Sequence, residues 1–137
     1  MSTKSLFNQE LFCQTEGSAG FDITSEKDYV LAPGQRQLID TNLFFKDSLP
    51  SQLYMAIVPR SGLAYKHGIT VLNSPATIDA DYTGEIKVLL INHGEKDFAI
   101  KSGDKIAQGI IFEHKTHDYM PTVKVERGDG GFGSTGV

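Results

Sequence analysis

Five short segments of the chain combine carboxylate, guanidinium, amide and hydroxyl side chains with glycine. They are residues 18–22, 59–64, 73–85, 103–108 and 127–136. In the last segment, glycines would let backbone N–H groups approach a phosphate closely, and Ser134 and Thr135 would add hydroxyl donors. This end of the chain therefore suits a segment ordered by a phosphate-bearing ligand, although a frayed terminus would have the same composition.

Taken one at a time, residues in the other segments have ordinary structural interpretations. Asp79 suits a turn carboxylate, and Arg60 suits a surface ion pair. Gln108 suits a solvated strand position, and Tyr82 suits the packed core. The chemical interpretation therefore depends on the segments acting together.

Two further patterns match known ligand-binding motifs but lack parts that those motifs require. Residues 128–133 satisfy the G-x-G-x-x-G pattern of dinucleotide-binding folds, but only four residues follow, so the required helix has no room. His114 and His117 lie three residues apart, and a closed zinc site would need two more ligands. We interpret these histidines as a solvated pair.

The segments must be positioned by short strands, because glycine and proline interrupt the chain too often for long helices. Runs rich in β-branched and aromatic residues predict strands at 38–45, 53–58, 69–72, 86–91, 98–101, 105–112 and 122–125. Residues 64–67 have room for one helical turn. Closely spaced short strands of this kind predict an all-β sandwich or barrel.

One predicted strand, 86–91, is apolar on both faces. Such a strand is buried on both sides. Either it is the central strand of one sandwich, or a second subunit covers its outer face. The pattern alone leaves both arrangements open.

Length and composition exclude several classes of protein. A chain of 137 residues suits one domain, and its net charge of −4 disfavours non-specific binding of nucleic acid. It contains no apolar run long enough to span a membrane and no apolar core of a signal peptide near its N-terminus. The single cysteine, Cys13, fits a reducing compartment. We therefore expect an intracellular protein, cytoplasmic or nuclear, without nucleic-acid or membrane partners.

In their order and spacing, the five segments resemble the five motifs of the trimeric deoxyuridine triphosphatase (dUTPase) family. The resemblance implies an all-β jelly roll that assembles as a homotrimer with an exchanged C-terminal arm. Residues 1–126 would form the jelly-roll domain, and residues 127–137 would form an arm closing over an active site.

The resemblance also implies a reaction, the hydrolysis of dUTP to dUMP and pyrophosphate. Asp79 would be the base that activates a water for attack on the α-phosphorus. Mg²⁺ would be held mainly by triphosphate oxygens and waters, with Asp22 reaching it only through water. The phosphate contacts would be Arg60, Ser61, Gln108, Arg127, Ser134 and Thr135.

Selection of the base and the sugar would come from the third and fifth segments. Asn73 and the backbone around Ala76 would pair with the uracil edge, which cytosine cannot match. Tyr82 would pack under the deoxyribose and leave no room for a 2′-hydroxyl, while Phe132 would stack over the base.

The chain departs from the family pattern at a few positions. Ala76 stands where glycine is usual, so its side chain is expected to crowd the uracil hairpin. Lys105 replaces an arginine and Gly109 replaces a larger apolar residue. Phe21 and Ile23 replace the usual pair around Asp22, and we interpret the last four differences as packing variation.

Two alternatives to an active dUTPase are considered. A deoxycytidine triphosphate deaminase shares the fold, but that family typically has Arg-Ser-Ser at the position of residues 60–62 and needs a glutamate base. A non-catalytic nucleotide sensor or protein-binding module on the same scaffold would be favoured by loss of Asp79, Arg127 or Phe132, and all three are present.

Overall fold

Nine strands and two short helices occur in residues 6–123, the part of the chain that the computed structural model describes. The strands are β1 (Phe21–Thr24), β2 (Tyr29–Leu31), β3 (Arg36–Ile39), β4 (Leu53–Val58), β5 (Ile69–Val71), β6 (Ala76–Ile78), β7 (Val88–Asn92), β8 (Phe98–Ile100) and β9 (Lys105–Glu113). The helices are α1 (Ser61–His67) and α2 (Thr116–Tyr119). The predicted all-β fold is confirmed, and neither helix is long and apolar enough to cross a membrane.

The strands form three antiparallel sheets in which most neighbours are distant in sequence. One sheet has the order β1-β9-β4-β6, a second has β3-β7-β5, and β2 pairs with β8. The chain therefore passes repeatedly from one sheet to another, as in jelly rolls. The two longest strands, β4 and β9, pair along six residues each and form the centre of the largest sheet.

The position of strand β7 bears on whether the apolar run at 86–91 is a central strand or is covered by a second subunit. It lies between β3 and β5, so it is the central strand of its sheet. Val88 and Leu90 are fully buried on one face, whereas Leu89 and Ile91 on the other face are half-buried. Cover of that second face by another subunit stays a prediction.

Helix α1 is longer than the single turn expected at 64–67. It begins at Ser61 and continues through Gly62 to His67. It ends at Gly68, whose left-handed backbone (φ 69°) lets its N–H reach the Ala64 carbonyl. The prediction was too short because it treated Gly62 as a break, although a single exposed glycine only weakens a helix.

Strand β3 is shorter than the predicted strand at 38–45. Asp40, directly after it, contacts Lys27 Nζ at 2.7 Å and Lys87 Nζ at 3.3 Å. The hydrogen bond from Lys27 holds the pKa of Asp40 below its usual value. Asn42 then adopts φ 58°, which no strand residue has, so pairing cannot continue.

The other strand predictions agree with the structure to different degrees. The interval 53–58 coincides with β4, and 69–72, 86–91, 98–101 and 105–112 overlap β5, β7, β8 and β9. Thr122 and Val123 are not in a strand, and the rest of the interval 122–125 lies outside the described residues. Strands β1, β2 and β6 were not predicted, and their length of three or four residues is shared by strands that were predicted, so length alone does not explain the omission.

Phe21 and Gly109 fill one space between β1 and β9. The two residues are directly opposite in the ladder. A Cβ atom on Gly109 would lie 2.5 Å from the Phe21 ring and 2.7 Å from the Met55 methyl group. The ring thus occupies the volume that a side chain at position 109 would need, which agrees with the packing interpretation of both departures.

Gly109→Ala is accordingly expected to lower the free energy of unfolding by about 1–3 kcal/mol through overpacking. In a Phe21→Leu background the cost should fall, with a coupling of about 0.5 kcal/mol or more. Urea titration of the four proteins measures both quantities. Gly62→Ala is the control, because a Cβ there meets no atom within 4 Å. Equal costs in both backgrounds would contradict the shared space.

Candidate active site

Strands β1, β9 and β4 bring the first, second and fourth segments together. In the ladder, Gln108 lies between Asp22 on β1 and Val58 on β4. Its Nε2 donates to the Pro59 carbonyl at 3.1 Å, which holds the start of the second segment against β9. Three segments that are distant in sequence therefore meet at one end of β4.

Asp22 is the centre of a charged cluster at this end of the sheet. Its carboxylate accepts a hydrogen bond from Gln14 Nε2 at 3.1 Å and lies 3.4 Å from Lys105 Nζ and 3.7 Å from Arg60 Nε. Arg60 also donates to the Lys105 carbonyl at 3.4 Å. Two cations surround one carboxylate, so the cluster has one positive charge in excess and suits an anionic ligand.

Lys105 therefore has a different role from the packing variation expected of it. Its ammonium group lies in the charged cluster, where an arginine at the same position would also supply a positive charge. The retained charge was the signal that sequence analysis overlooked. Gln14 was missed as well, and nothing in its sequence surroundings distinguishes it.

Ser61 stands beside this cluster at the first position of α1, and its side chain is exposed. Arg60 precedes it in extended conformation and forms the N-terminal boundary of the helix. A depression of about 370 Å³ adjoins the cluster, and its lining includes Arg60, Lys105, Gly103 and Asp104. The end of β4 thus presents two cationic side chains, Arg60 and Lys105, and the carboxylate of Asp104 around an open space.

The third segment lies at the β6 edge of the same sheet, and it is not a two-stranded hairpin, because β5 and β6 belong to different sheets. Asn73 is exposed in the turn between β5 and β6, and Asp79 directly follows β6. The Tyr82 N–H donates to the Asp79 carbonyl at 3.2 Å. This hydrogen bond closes a turn that keeps the base candidate next to the sugar-binding candidate.

Ala76, expected to crowd the hairpin, directs its methyl group elsewhere. It is 7% exposed and belongs to the hydrophobic core, opposite Ile57 in the ladder. The side chain is therefore accommodated by core packing.

A larger depression, about 700 Å³, lies beside Asp79. Its lining includes Asp81, Tyr54, His114 and His117. The two imidazole rings have centroids 5.6 Å apart, but the described residues contain no group of three or more side chains that could hold a metal ion. The histidines therefore do not add up to a zinc site within residues 6–123.

Asp79 and Gln108 stand at opposite ends of β4. Ile78 pairs with Met55 and Gln108 pairs with Val58, so the two positions differ by three residues along β4 and by two strand spacings across the sheet. Standard strand dimensions place the Cα atoms of Ile78 and Gln108 about 14 Å apart. Asp79 lies one residue beyond Ile78 and is therefore farther still from Gln108. The two side chains are together too short to meet across this backbone separation, so Asp79 and Gln108 of one chain do not contact each other.

Four candidate residues, Arg127, Phe132, Ser134 and Thr135, lie outside the described residues, as does the expected boundary between residues 126 and 127. The described candidates form two groups. One contains Asp22, Arg60, Ser61 and Gln108, and the other contains Asn73, Ala76, Asp79 and Tyr82.

Comparison with known proteins identifies the arrangement. The dUTPase family model matches residues 9–136. The chain belongs to the dUTPase family. The deoxyuridine 5′-triphosphate nucleotidohydrolase of Nautilia profundicola is 51% identical to this chain over 126 residues, covering 90% of this chain and 87% of the relative. The Treponema denticola protein of the same name is 49% identical, covering 90% and 88%.

Solved dUTPase structures share the fold. The native EIAV dUTPase superimposes with a TM-score of 0.73 at 26% identity, covering 86% of this chain and 95% of that one. The Streptococcus mutans dUTPase gives a TM-score of 0.70 at 22% identity, covering 77% and 85%. The dUTPase resemblance stated from the five segments is thus confirmed, together with the β architecture that it implied.

Proposed function

We propose that this chain hydrolyses dUTP to dUMP and pyrophosphate. The observation that carries the proposal is the charged cluster of Asp22, Arg60 and Lys105 beside Gln108 in a chain of the dUTPase family. Curated relatives at about half identity are named for the same substrate. Because dUTP is an intracellular nucleotide, we expect the protein to act inside the cell.

Asp79 is the proposed base of this reaction. A water deprotonated and oriented by its carboxylate attacks the α-phosphorus, the bond from that phosphorus to the bridging oxygen breaks, and pyrophosphate leaves. Asp79 is half-buried and borders an open depression, so a water has access to it. General-base assistance of this kind contributes about 10²–10⁴ in rate.

The charged cluster, together with Ser61 and Gln108, is proposed to stabilise the negative charge of the phosphates. Arg60 and Lys105 supply positive charge to phosphate oxygens, while Ser61 and Gln108 supply neutral hydrogen-bond donors. The arm residues Arg127, Ser134 and Thr135 are proposed to enclose the γ-phosphate. In phosphoryl chemistry such positioning and neutralisation provide most of the catalysis.

The described residues fit a magnesium ion that is held mainly by its substrate. Within residues 6–123 no cluster of three acidic or histidine ligands exists, whereas Asp22 offers hard carboxylate oxygens beside the cationic cluster. Each of those oxygens can accept more than one hydrogen, so Asp22 would hold the waters of a hydrated ion. When bound, the ion neutralises charge on the triphosphate.

Base and sugar selection are proposed for the third segment. Asn73 and the backbone near Ala76 would face the uracil edge, where cytosine would leave buried polar groups unpaired. Tyr82 would form the floor below the deoxyribose, and Phe132 of the arm would cover the base.

A homotrimer with shared sites accounts for the separation along β4. Since Asp79 and Gln108 of one chain are about 14 Å or more apart, we propose that Asp79 of one subunit works with the charged cluster of another. The half-buried outer face of β7 gives a second reason to expect an additional chain on this fold. No nucleic-acid or membrane partner is proposed.

Pyrophosphate release with Mg²⁺ from dUTP, dCTP, dTTP and UTP tests the function. Release from dUTP alone is expected, because the third segment is proposed to select the base and its Tyr82 the sugar. Release of ammonia from dCTP would instead favour the deaminase. A folded protein that binds dUTP without releasing pyrophosphate would favour the nucleotide sensor.

A further inference from the structure

The Glu85 side chain fastens the end of the third segment to the loop after β3. Its Oε2 accepts two backbone hydrogen bonds, from Thr41 N at 3.0 Å and from Asn42 N at 2.9 Å. Hydrogen bonds to a charged acceptor are among the stronger ones in proteins. One carboxylate thereby joins Glu85 to two residues that precede it by 44 and 43 positions in the sequence.

Backbone contacts next to Glu85 extend the same junction. The Thr41 hydroxyl donates to the Ile86 carbonyl, and the Ile86 N–H donates to the Leu43 carbonyl at 2.7 Å. On the far side of the loop, the Asn42 carbonyl accepts from the side-chain amides of Asn8 and Gln9, each at 2.9 Å. The loop that receives Glu85 is therefore itself held in place.

Tyr82 depends on this junction. Its hydroxyl donates to the backbone carbonyl of Glu85 at 2.9 Å. At its other end, the Tyr82 N–H is bonded to the Asp79 carbonyl. A displacement of the Glu85 backbone would therefore move the acceptor that fixes the tip of the Tyr82 ring, while the base candidate stays directly after β6.

We propose that Glu85 is a positioning residue for sugar selection, holding the Tyr82 ring at the height that admits a deoxyribose and excludes a 2′-hydroxyl. The inference rests on the proposed hydrolysis of dUTP and deepens it. Glu85 acts through the Thr41–Asn42 loop and Tyr82. It contacts neither the reacting water nor the phosphates in this scheme.

The expected effect falls on discrimination more than on chemistry. Without the carboxylate, only the Ile86 hydrogen bonds still join the Glu85 backbone to the loop, so the Tyr82 ring gains freedom to retreat and accommodate a 2′-hydroxyl. A wall that rejects a substituent by steric exclusion loses selectivity when it can move. Since neither Asp79 nor the charged cluster makes these contacts to the Thr41–Asn42 loop, turnover of dUTP itself should change less.

The experiment compares kcat and KM for dUTP and UTP in the wild-type protein, Glu85→Ala, Glu85→Gln and Asp28→Ala. The ratio of kcat/KM for dUTP to that for UTP is expected to fall about tenfold or more in Glu85→Ala. Glu85→Gln retains an acceptor oxygen and should restore most of the ratio. Asp28, in the turn between β1 and β2, likewise accepts a hydrogen bond from a backbone N–H, that of Ser102, at 2.8 Å. Asp28→Ala therefore controls for the loss of a carboxylate that binds backbone N–H groups away from Tyr82.

The outcomes separate the inference from the function on which it rests. A wild-type protein that releases no pyrophosphate from dUTP overturns both. Hydrolysis of dUTP with an unchanged ratio in Glu85→Ala overturns the positioning role alone. If Glu85→Ala does not fold, the ratio in Glu85→Gln decides: a small fall supports the role, and no change in a protein of lowered thermal midpoint overturns it.

Discussion

Asp79→Asn is expected to lower dUTP turnover by about 10²–10⁴-fold while nucleotide binding persists. Asparagine has nearly the same shape as aspartate, so the end of β6 and its turn to Tyr82 should be preserved. It cannot take a proton from water, so the chemical step loses its base. Pyrophosphate release gives the rate, and calorimetric titration with a non-hydrolysable dUTP analogue gives the affinity.

Asp81→Asn is the matched control for this substitution. Asp81 lies two residues away and borders the same depression, yet no step of the mechanism uses it. Its variant should stay within about tenfold of the wild type, below the effect expected for removal of a base. Turnover of Asp79→Asn at the wild-type rate would contradict the assignment of the base.

The same variant tests whether sites are shared between chains. Asp79→Asn and Arg60→Ala would each be inactive alone, because each lacks one half of the site. Mixed oligomers formed by co-refolding would contain sites that combine an intact Asp79 from one chain with an intact Arg60 from another. Recovered activity is expected, and its complete absence in verified mixed oligomers would contradict sharing.

Removal of residues 127–137 should reduce kcat/KM for dUTP by about 10²-fold or more. The truncated chain loses Arg127 and the hydroxyl groups of Ser134 and Thr135, which are the proposed contacts to the γ-phosphate, together with Phe132, the proposed cover of the base. Steady-state kinetics measure this loss. The thermal midpoint should remain near that of the full chain, because the truncated chain keeps the whole hydrophobic core found in the described residues.

A shorter truncation provides the control. Removing Gly136 and Val137 leaves all four arm candidates in place, so its kinetics should resemble those of the full chain. Normal hydrolysis by the protein that ends at Glu126 would show that the arm is not part of the site. A large fall in its thermal midpoint would show that the segment contributes to folding instead.

Much of the fold could be predicted from local sequence because its longer strands are strongly apolar. The interval 53–58 coincided with β4, since Met55, Ala56 and Ile57 are all buried. Interactions between distant residues set the limits elsewhere. Strand β3 ends where Asp40 meets Lys27 and Lys87, and no local pattern contains that information.

The candidate site was predicted in its residue types more than in its arrangement. The five segments indicated Asp22, Arg60, Gln108 and Asp79, but not that β4 separates the last of these from the others. That separation depends on strand order, which a chain with many short strands does not reveal. Glu85 ends the third segment, but the sequence indicates no role for it, because its partners lie more than forty positions away.

Because the two groups of candidate residues lie at opposite ends of β4, correct folding of one chain is not sufficient for activity in the proposed trimer. With Asp79 and the charged cluster at its two ends, a chain of the proposed trimer would be correctly folded and still lack a complete site. Specific activity should then depend on protein concentration, falling on dilution below the level at which chains associate and returning on concentration. In a cell that makes little of the protein, the rate of dUTP removal would rise more steeply than the number of chains.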